Sequence, residues 1–324
     1  MSTISARLFD ANGHDRWVDL GEDLTKGLGK TRLLWVDLDE RDDAVALQRI
    51  ADAIGLEPRD IERIHEDPGR SSFIRTADRL HLTLEALEPN DDTPPRLVRR
   101  EIQLVAAPNV VLTVHDGPIA ALQRFRDGLD GETRLGLLTA GDLLSSLVDE
   151  VIVGYFLVAE ILEREIDTLD EQALHGGRDT DVLSSIVALR RRIGFVRRTL
   201  APHRQALSTL GLPETRVEEL VGRPWPGLVD RLEAAMSVIE GLREGLLGTF
   251  DIHMGRVSQR ANDVMRTLTL LSAVLLPAVV LAGVMGMNFK LAFFDDPSNV
   301  WLVIGSMALF ALAILGVARW RRWW

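Results

Sequence analysis

The chain contains no cysteine. That excludes disulfides, thiolate zinc sites and cysteine nucleophiles, and it suits a reducing compartment. Lysine is almost missing too. Lys26, Lys30 and Lys290 are the only three, and the other 34 of the 37 basic residues are arginine, a bias read as genomic rather than functional. No P-loop, HExxH or nucleophile motif is present, so no enzymatic chemistry is expected. Positive charge is in the minority: 48 acidic residues against 37 basic ones leave a formal net charge of −11. This argues against a nucleic-acid partner, because phosphate binding needs clustered Lys and Arg. Residues 1–23 lack a basic start followed by an apolar core, so no cleaved signal peptide is expected, and any membrane targeting has to come from the C-terminal end.

What is present is unevenly spread. Residues 1–265 read as a charged soluble protein, while 268–318 hold almost all of the long apolar runs. The run Leu33-Leu34-Trp35-Val36-Asp37-Leu38 reads as a buried strand. Asp43 to Ile54 has helical spacing, closed by Gly55, with Pro58 heading another short helix. Leu80 to Leu87 and Glu101 to Val105 alternate at period two, as half-buried strands do. Pro108-Asn109 turns into Val110 to Val114, and Pro89 to Pro95 is a polar loop. Residues 140–210 read as wholly helical. Within them Arg190, Arg191, Arg192, Arg197, Arg198 and Arg204 are expected to form a solvated face paired with nearby carboxylates, with anionic lipid or a neighbouring subunit as the other reading. His65-Glu66-Asp67 is the one tight group of metal-type ligands. Three consecutive residues rarely converge on one ion, so it is read as a polar helix end.

After the break at Gly222 to Gly227, nothing interrupts helix formation until the Gly283–Gly286 region. A helix from Leu228 to Met285 would be about 85 Å long, a rod suited to a stalk entering a membrane. Leu268 to Met287 carries no charge over 20 positions and Val300 to Ala318 none over 19, each enough to cross about 30 Å of hydrocarbon. Pro277 is tolerated in such a span where neighbours satisfy the freed carbonyl. Arg256, Arg260 and Arg266 precede the first run and Arg319, Arg321 and Arg322 follow the second, whereas the connecting loop has only Lys290. The positive-inside bias then places both chain ends in the cytoplasm. Trp301, Trp320, Trp323 and Trp324 fall at the expected interfaces.

The tripeptide Gly286-Met287-Asn288 closes the run Asn262 to Leu270, then Leu276-Pro277, then Ala282 to Met285, and is followed by Phe289 and a second apolar run with a basic tail. This stretch resembles the pore helix and signature of the CorA family of magnesium channels. More loosely, the resemblance runs through the α+β head, the paired helices and the stalk. It implies a funnel-shaped homopentamer with an α+β cytoplasmic domain (1–135), a cytoplasmic helical region (136–225) and a long stalk helix (226–267). A pore-lining transmembrane helix (268–287), an external loop (288–299), a second transmembrane helix (300–318) and a basic cytoplasmic tail (319–324) complete it. The expected location is the inner or plasma membrane, with two spans and lipid as the surroundings. The expected activity is Mg²⁺ transport, with Co²⁺ or Ni²⁺ as related cargo, through a ring formed by Gly286, Met287 and Asn288. Five neutral amide oxygens suit an ion that gives up its water reluctantly, where carboxylates would hold it too tightly.

Met265, Leu268, Ser272, Leu276, Val279 and Gly283 step by three or four, as one helix face does. By itself this stripe is an ordinary packing face. The resemblance implies that it faces the pore, with Met265, Leu268 and Leu276 as apolar constrictions. It also implies that Asp251, four turns earlier, is half of a regulatory magnesium site between subunits, its acidic partner lying in the head. Two features depart from the pattern. The loop reads Phe289-Lys290-Leu291-Ala292-Phe293-Phe294-Asp295-Asp296, which places a lysine near a cation pore. The segment Leu189 to Leu207, with Pro202-His203-Arg204, is similar to the ZntB zinc-transporter branch. A Zn²⁺ transporter coupled to protons is therefore the alternative, and a non-conducting, membrane-anchored metal sensor or scaffold is the alternative of another class.

Overall fold

The computed structural model describes residues 3–20, 28, 31–66, 69–90, 96–129, 139–175, 179–222, 227–287 and 299–321. These fall into two units. The first comprises Met1–Gln172 with Thr180–Thr249, the second Ala173–Asp179 with Phe250–Trp324.

The first unit is built on a seven-stranded sheet. Its strands are β1 (Thr3–Asp10), β2 (Arg16–Trp17), β3 (Arg32–Asp39), β4 (Ser72–Arg75), β5 (Leu80–Pro89), β6 (Leu97–Ala107) and β7 (Val110–His115), in the order β2-β1-β3-β7-β6-β5-β4. Only β3 and β7 pair parallel, Val36 opposite Leu112. The crossover between them carries α1 (Ala44–Ile54) and α2 (Pro58–His65). Local chemistry sets the bounds of α1. The Asp43 carboxylate accepts from the amides of Val45 and Ala46 at 3.0 and 2.9 Å, satisfying two amides left over at the helix start. Gly55 closes the helix at φ 69°, a left-handed conformation that glycine takes at no steric cost. Asn109 holds the β6–β7 turn at φ 61°, as the short amide side chain permits. Ala46, Leu47, Ile50 and Ile54 of α1 and Ile64 of α2 then pack on Leu34, Val36, Leu38, Leu112 and Val114 of the sheet.

A second layer comes from α3 (Ala120–Asp127), α4 (Ala140–His175), α5 (Asp179–Leu210), the short α6 (Val217–Val221) and the first part of α7 (Leu228–Met285). Phe125 of α3 meets the Trp35 ring edge-on at 5.3 Å between centroids. Polar pairs link the long helices: Arg192 with Glu165, Arg204 with Glu233 (2.6 Å), Arg197 with Glu240 (3.5 Å) and Arg231 with Asp149 (2.6 Å). Arg190, Arg191 and Arg198 are exposed, so in the single chain the arginine-rich face of α5 is open, with Arg192, Arg197 and Arg204 paired to carboxylates. Pairs of this kind are worth little each. His65 lies at the end of α2, its Nδ1 2.9 Å from the Ile61 carbonyl.

The period-two reading of β5 needs correction. Instead of one wet and one dry face, residues 80–87 are all buried. Two of the polar side chains that alternation would give to water are paired. His81 Nε2 lies 2.9 Å from the Asp60 carboxylate and Glu85 receives Arg99 at 2.9 Å. The strand also has an unpaired edge. Pairing with β4 ends at Ser72 opposite Thr83, and beyond it the backbone of Glu85 is met by side chains: its N–H donates to His203 Nε2 at 3.1 Å, and its carbonyl accepts from the Tyr155 hydroxyl at 2.6 Å. Two helices thereby cap an edge that would otherwise be left with unsatisfied backbone groups.

His203 can do this only as a neutral ring. Nε2 accepts from Glu85, and Nδ1 donates to the Thr199 carbonyl at 3.1 Å. Burial pushes its pKa down to about 4, against the pull of the neighbouring backbone groups. The unfolded imidazole takes up its proton near pH 6.5. Its contribution to stability is thus complete above that pH and is lost as pH falls towards 4. Between pH 7 and pH 5 the loss should be about 2 kcal/mol from this residue. Urea titrations at the two pH values should show it in wild type and not in His203→Gln. An equal acid loss in the variant would remove His203 from the explanation.

The second unit contains the latter part of α7 and α8 (Asn299–Trp320). Within it Arg256 donates to the Ala173 carbonyl at 3.1 Å.

Candidate ion-conduction site

The candidate site is carried by α7. Leu228–Met285 is one continuous helix of 58 residues with Pro277 inside it. Met265 to Gly283 therefore spans about 27 Å. Met265, Leu268, Leu276 and Val279 are each more than half exposed, and Ser272 and Gly283 are exposed as well. A methyl group built on Gly283 would meet nothing within 4 Å. The helix ends by tightening: Gly286 N–H donates to Ala282 at 2.9 Å, and Met287 N–H reaches only three residues back, to Val284, at 3.2 Å. Gly286 and Met287 thus continue the axis of α7 for most of a turn. Asn288, Lys290, Asp295 and Asp296 lie outside the described residues.

Exposure on α7 is one-sided. The stripe and the residues that flank it, Leu271, Leu275, Val280 and Val284, are open, whereas on the opposite face Leu270 is buried and Val274, Pro277, Ala278 and Met285 are half-buried. The structure brings the six residues onto the open face. Apolar side chains left open in this way are what a bilayer, or further copies of the helix, would cover. Of the two apolar windows, in α7 and α8, 6% and 0% are buried. Core helices of a soluble protein would be mostly covered.

Asp251 is exposed on α7. Among the described residues no group of three His, Asp or Glu side chains is placed to hold a metal.

The side chains that sequence reasoning passed over are buried polar clusters in the sheet domain. Asp37, 1% exposed, binds Arg126 and Thr113 and lies 3.3 Å from His115 Nε2. Thr113 in turn accepts from the Trp35 indole N–H at 3.1 Å. Asp60 receives both His81 and Arg79, the latter at 3.1 Å. Their one sequence signal is a lone charged or imidazole side chain inside an apolar run, Asp37 in Leu33 to Leu38 and His81 in Leu80 to Leu84.

A mixed sheet, a bundle of long helices, and a stalk that ends in two uncovered apolar helices define an integral membrane protein whose bulk lies outside the bilayer. Residues 30–319 match the family model described as CorA-like Mg²⁺ transporter protein, and the chain belongs to that family of transporters. It is 24% identical over 303 residues to the cobalt/magnesium transport protein CorA of Thermotoga maritima, covering 89% of this chain and 83% of the relative. It is 25% identical to the CorA protein of Methanocaldococcus jannaschii over 309 residues, 90% of this chain and 92% of that one. The complete structure of the latter superposes with a TM-score of 0.71 at 20% identity over 98% of both chains. The full-length CmaX protein gives 0.68 at 20% identity, over 98% of this chain and 97% of that one.

Proposed function

We propose that the chain assembles as a homopentamer that passes Mg²⁺, with Co²⁺ or Ni²⁺ as related cargo, across the cell membrane into the cytoplasm. Five copies of α7 line the pore. Met265, Leu268, Ser272, Leu276, Val279 and Gly283 face it, and Gly286, Met287 and Asn288 form the outer mouth. The observation that carries this reading is the charge-free, uncovered end of α7, closing on Gly286-Met287-Asn288 inside a match that spans the chain. Both termini are cytoplasmic in this reading, which sets the three arginines before the first span and the three after the second on one side.

The chemistry follows from what the stripe lacks. Ser272 carries the one side-chain oxygen on it, too little to replace the hydration shell of a divalent ion. The ion therefore passes with its water, and an empty apolar constriction at Met265, Leu268 or Leu276 closes by dewetting. The membrane potential supplies about 2.3 kcal/mol per charge per 100 mV, so this chain needs no hydrolytic step of its own. Asp251 supplies one carboxylate of an intersubunit Mg²⁺ site that holds the pore shut when internal Mg²⁺ is high.

Flux into proteoliposomes tests the reading. Mg²⁺ influx driven by a potential, indifferent to a proton gradient and restrained by internal Mg²⁺ less strongly in Asp251→Asn, is the expected result. Zinc influx that grows with an inward proton gradient would move the chain to the zinc-transporting alternative suggested by Leu189 to Leu207. No flux of either ion would leave a non-conducting sensor or scaffold.

A further inference from the structure

The end of α7 and α8 enclose a groove that neither the pore nor the stalk uses. It has a volume of about 380 Å³ and is lined by Thr269, Leu270 and Ala273 from α7 and by Phe310, Ala313, Ile314, Val317, Ala318 and Arg321 from α8. Its lining is almost wholly apolar. The Thr269 hydroxyl is already spent, donating to the Met265 carbonyl at 2.8 Å. Of the described residues of the two spans only Leu270 and Ala318 are buried, and both belong to this lining. The one charged group in the lining is Arg321, whose N–H donates back to Val317 at 2.9 Å and so continues the turn of α8.

The dimensions suit one kind of occupant. From Phe310 to Arg321 is eleven residues of helix, about 16 Å, and half of a hydrocarbon core of about 30 Å is one leaflet. The groove therefore starts near the bilayer midplane and opens at a guanidinium in the headgroup layer. Ala273 and Ala313 keep its walls low. A packed helix from a second copy would fill the apolar part but bring its own arginines, Arg319 and Arg321, to the same level, like charges in place of an anion beside Arg321. A phospholipid fills the same space with an acyl chain and brings a phosphate to the arginine, the point at which a guanidinium binds best.

We propose that this groove is a binding site for one anionic phospholipid of the leaflet that faces the chain termini, its acyl chain between α7 and α8 and its headgroup on Arg321. The proposal rests on the reading of these two helices as spans and is independent of what the pore conducts.

Because the chain has no cysteine, Ala313→Cys gives a single attachment point for a bimane fluorophore inside the groove. The labelled protein is reconstituted in phosphatidylcholine vesicles containing equal mole fractions of either dibrominated phosphatidylglycerol or dibrominated phosphatidylcholine as quencher. Phosphatidylglycerol should quench about fivefold more effectively, the worth of one arginine beside an anionic headgroup. Arg321→Gln should abolish that preference while quenching by phosphatidylcholine persists. Arg319→Gln, a charge on the same helix end but outside the lining, should leave it in place. Equal quenching by the two lipids in wild type would overturn the site. Loss of the preference in both arginine variants would reduce it to general surface charge, and a fluorophore that neither lipid quenches would show the groove covered by another copy of the chain. Ion flux is not the readout, so failure here and failure of the transport reading are separate results.

Discussion

Asn288→Ala should lower Mg²⁺ flux by about tenfold or more while the protein keeps its assembly and its far-ultraviolet circular dichroism. A hydrogen bond between a neutral group and a charged partner is worth about 1.5–3 kcal/mol, and each 1.36 kcal/mol is a decade in rate. In a pentamer the substitution removes five such acceptors at once from one ring. The hydrated ion then meets methyl groups at the mouth of a pore whose next groups inward, Met287 and the stripe from Gly283 to Met265, are apolar but for Ser272. The Ser272 hydroxyls lie about 24 Å further in, too far to replace an acceptor lost at the mouth. Asn288→Asp separates the two ways the ring acts. If charge alone concentrates cations, the aspartate should conduct faster than wild type. If a neutral acceptor is needed for release, the aspartate should bind Mg²⁺ more tightly and conduct more slowly, the outcome expected here. Unchanged flux in Asn288→Ala would remove the amide ring from the mechanism and leave the apolar stripe to account for selection.

The parts of the fold that could be read ahead of the structure are those governed by short-range chemistry. Asp43, Gly55 and Pro58 punctuate α1 and α2 as their side chains and backbone freedom require. The long helix from Leu228 to Met285 follows from the want of any breaker but Pro277, which a membrane span tolerates, and the two spans follow from length and the absence of charge. Strands whose partners lie far away were less legible. β1 (Thr3–Asp10) carries no strong alternation, and its strand character comes from eight register partners along β3. β5 looked two-faced because a sequence shows polar residues but not what covers them. Its buried partners, Asp60 for His81 and His203 for the Glu85 amide, stand 21 and 118 positions away. The stripe on α7 could be listed by spacing, and the exposure of a single chain sets it on the open side of the helix, away from buried Leu270. That this side faces a pore rests on the family resemblance and not on anything α7 touches. The apolar groove at Arg321 has no sequence signature, since its walls come from two separate helices and its depth depends on where Ala273 and Ala313 fall.

The largest loss of stability in the sheet domain should come from Asp37→Ala. The carboxylate is buried between strands and helix, bound by Arg126 and Thr113 and approached by His115 at 3.3 Å. Removing it strands the Arg126 charge and takes from the Thr113 hydroxyl the carboxylate it donates to, leaving it only the Val36 carbonyl at 3.4 Å. Breaking a buried ion pair from one side costs about 3–5 kcal/mol. For a domain of this size that corresponds to a fall in melting temperature of roughly 6–20 °C, readable by near-ultraviolet circular dichroism of the full-length protein in detergent. His115 gives the effect a pH signature. Burial alone would push its imidazole down, but the hydrogen bond and charge of Asp37, helped by the Gly117 carbonyl and Asp39, hold its pKa above the ordinary value. A raised folded pKa contributes stability that is fully present below about pH 6.5 and is lost as pH rises through the folded value. The wild type holds that contribution and Asp37→Ala does not. In the variant, burial dominates and the ring resists its proton. The gap between the two proteins should accordingly be wider at pH 6 than at pH 8. A gap that is constant with pH would mean that Asp37 acts through Arg126 and Thr113 alone, and a loss below 1 kcal/mol at both pH values would mean that water replaces the carboxylate in this part of the core.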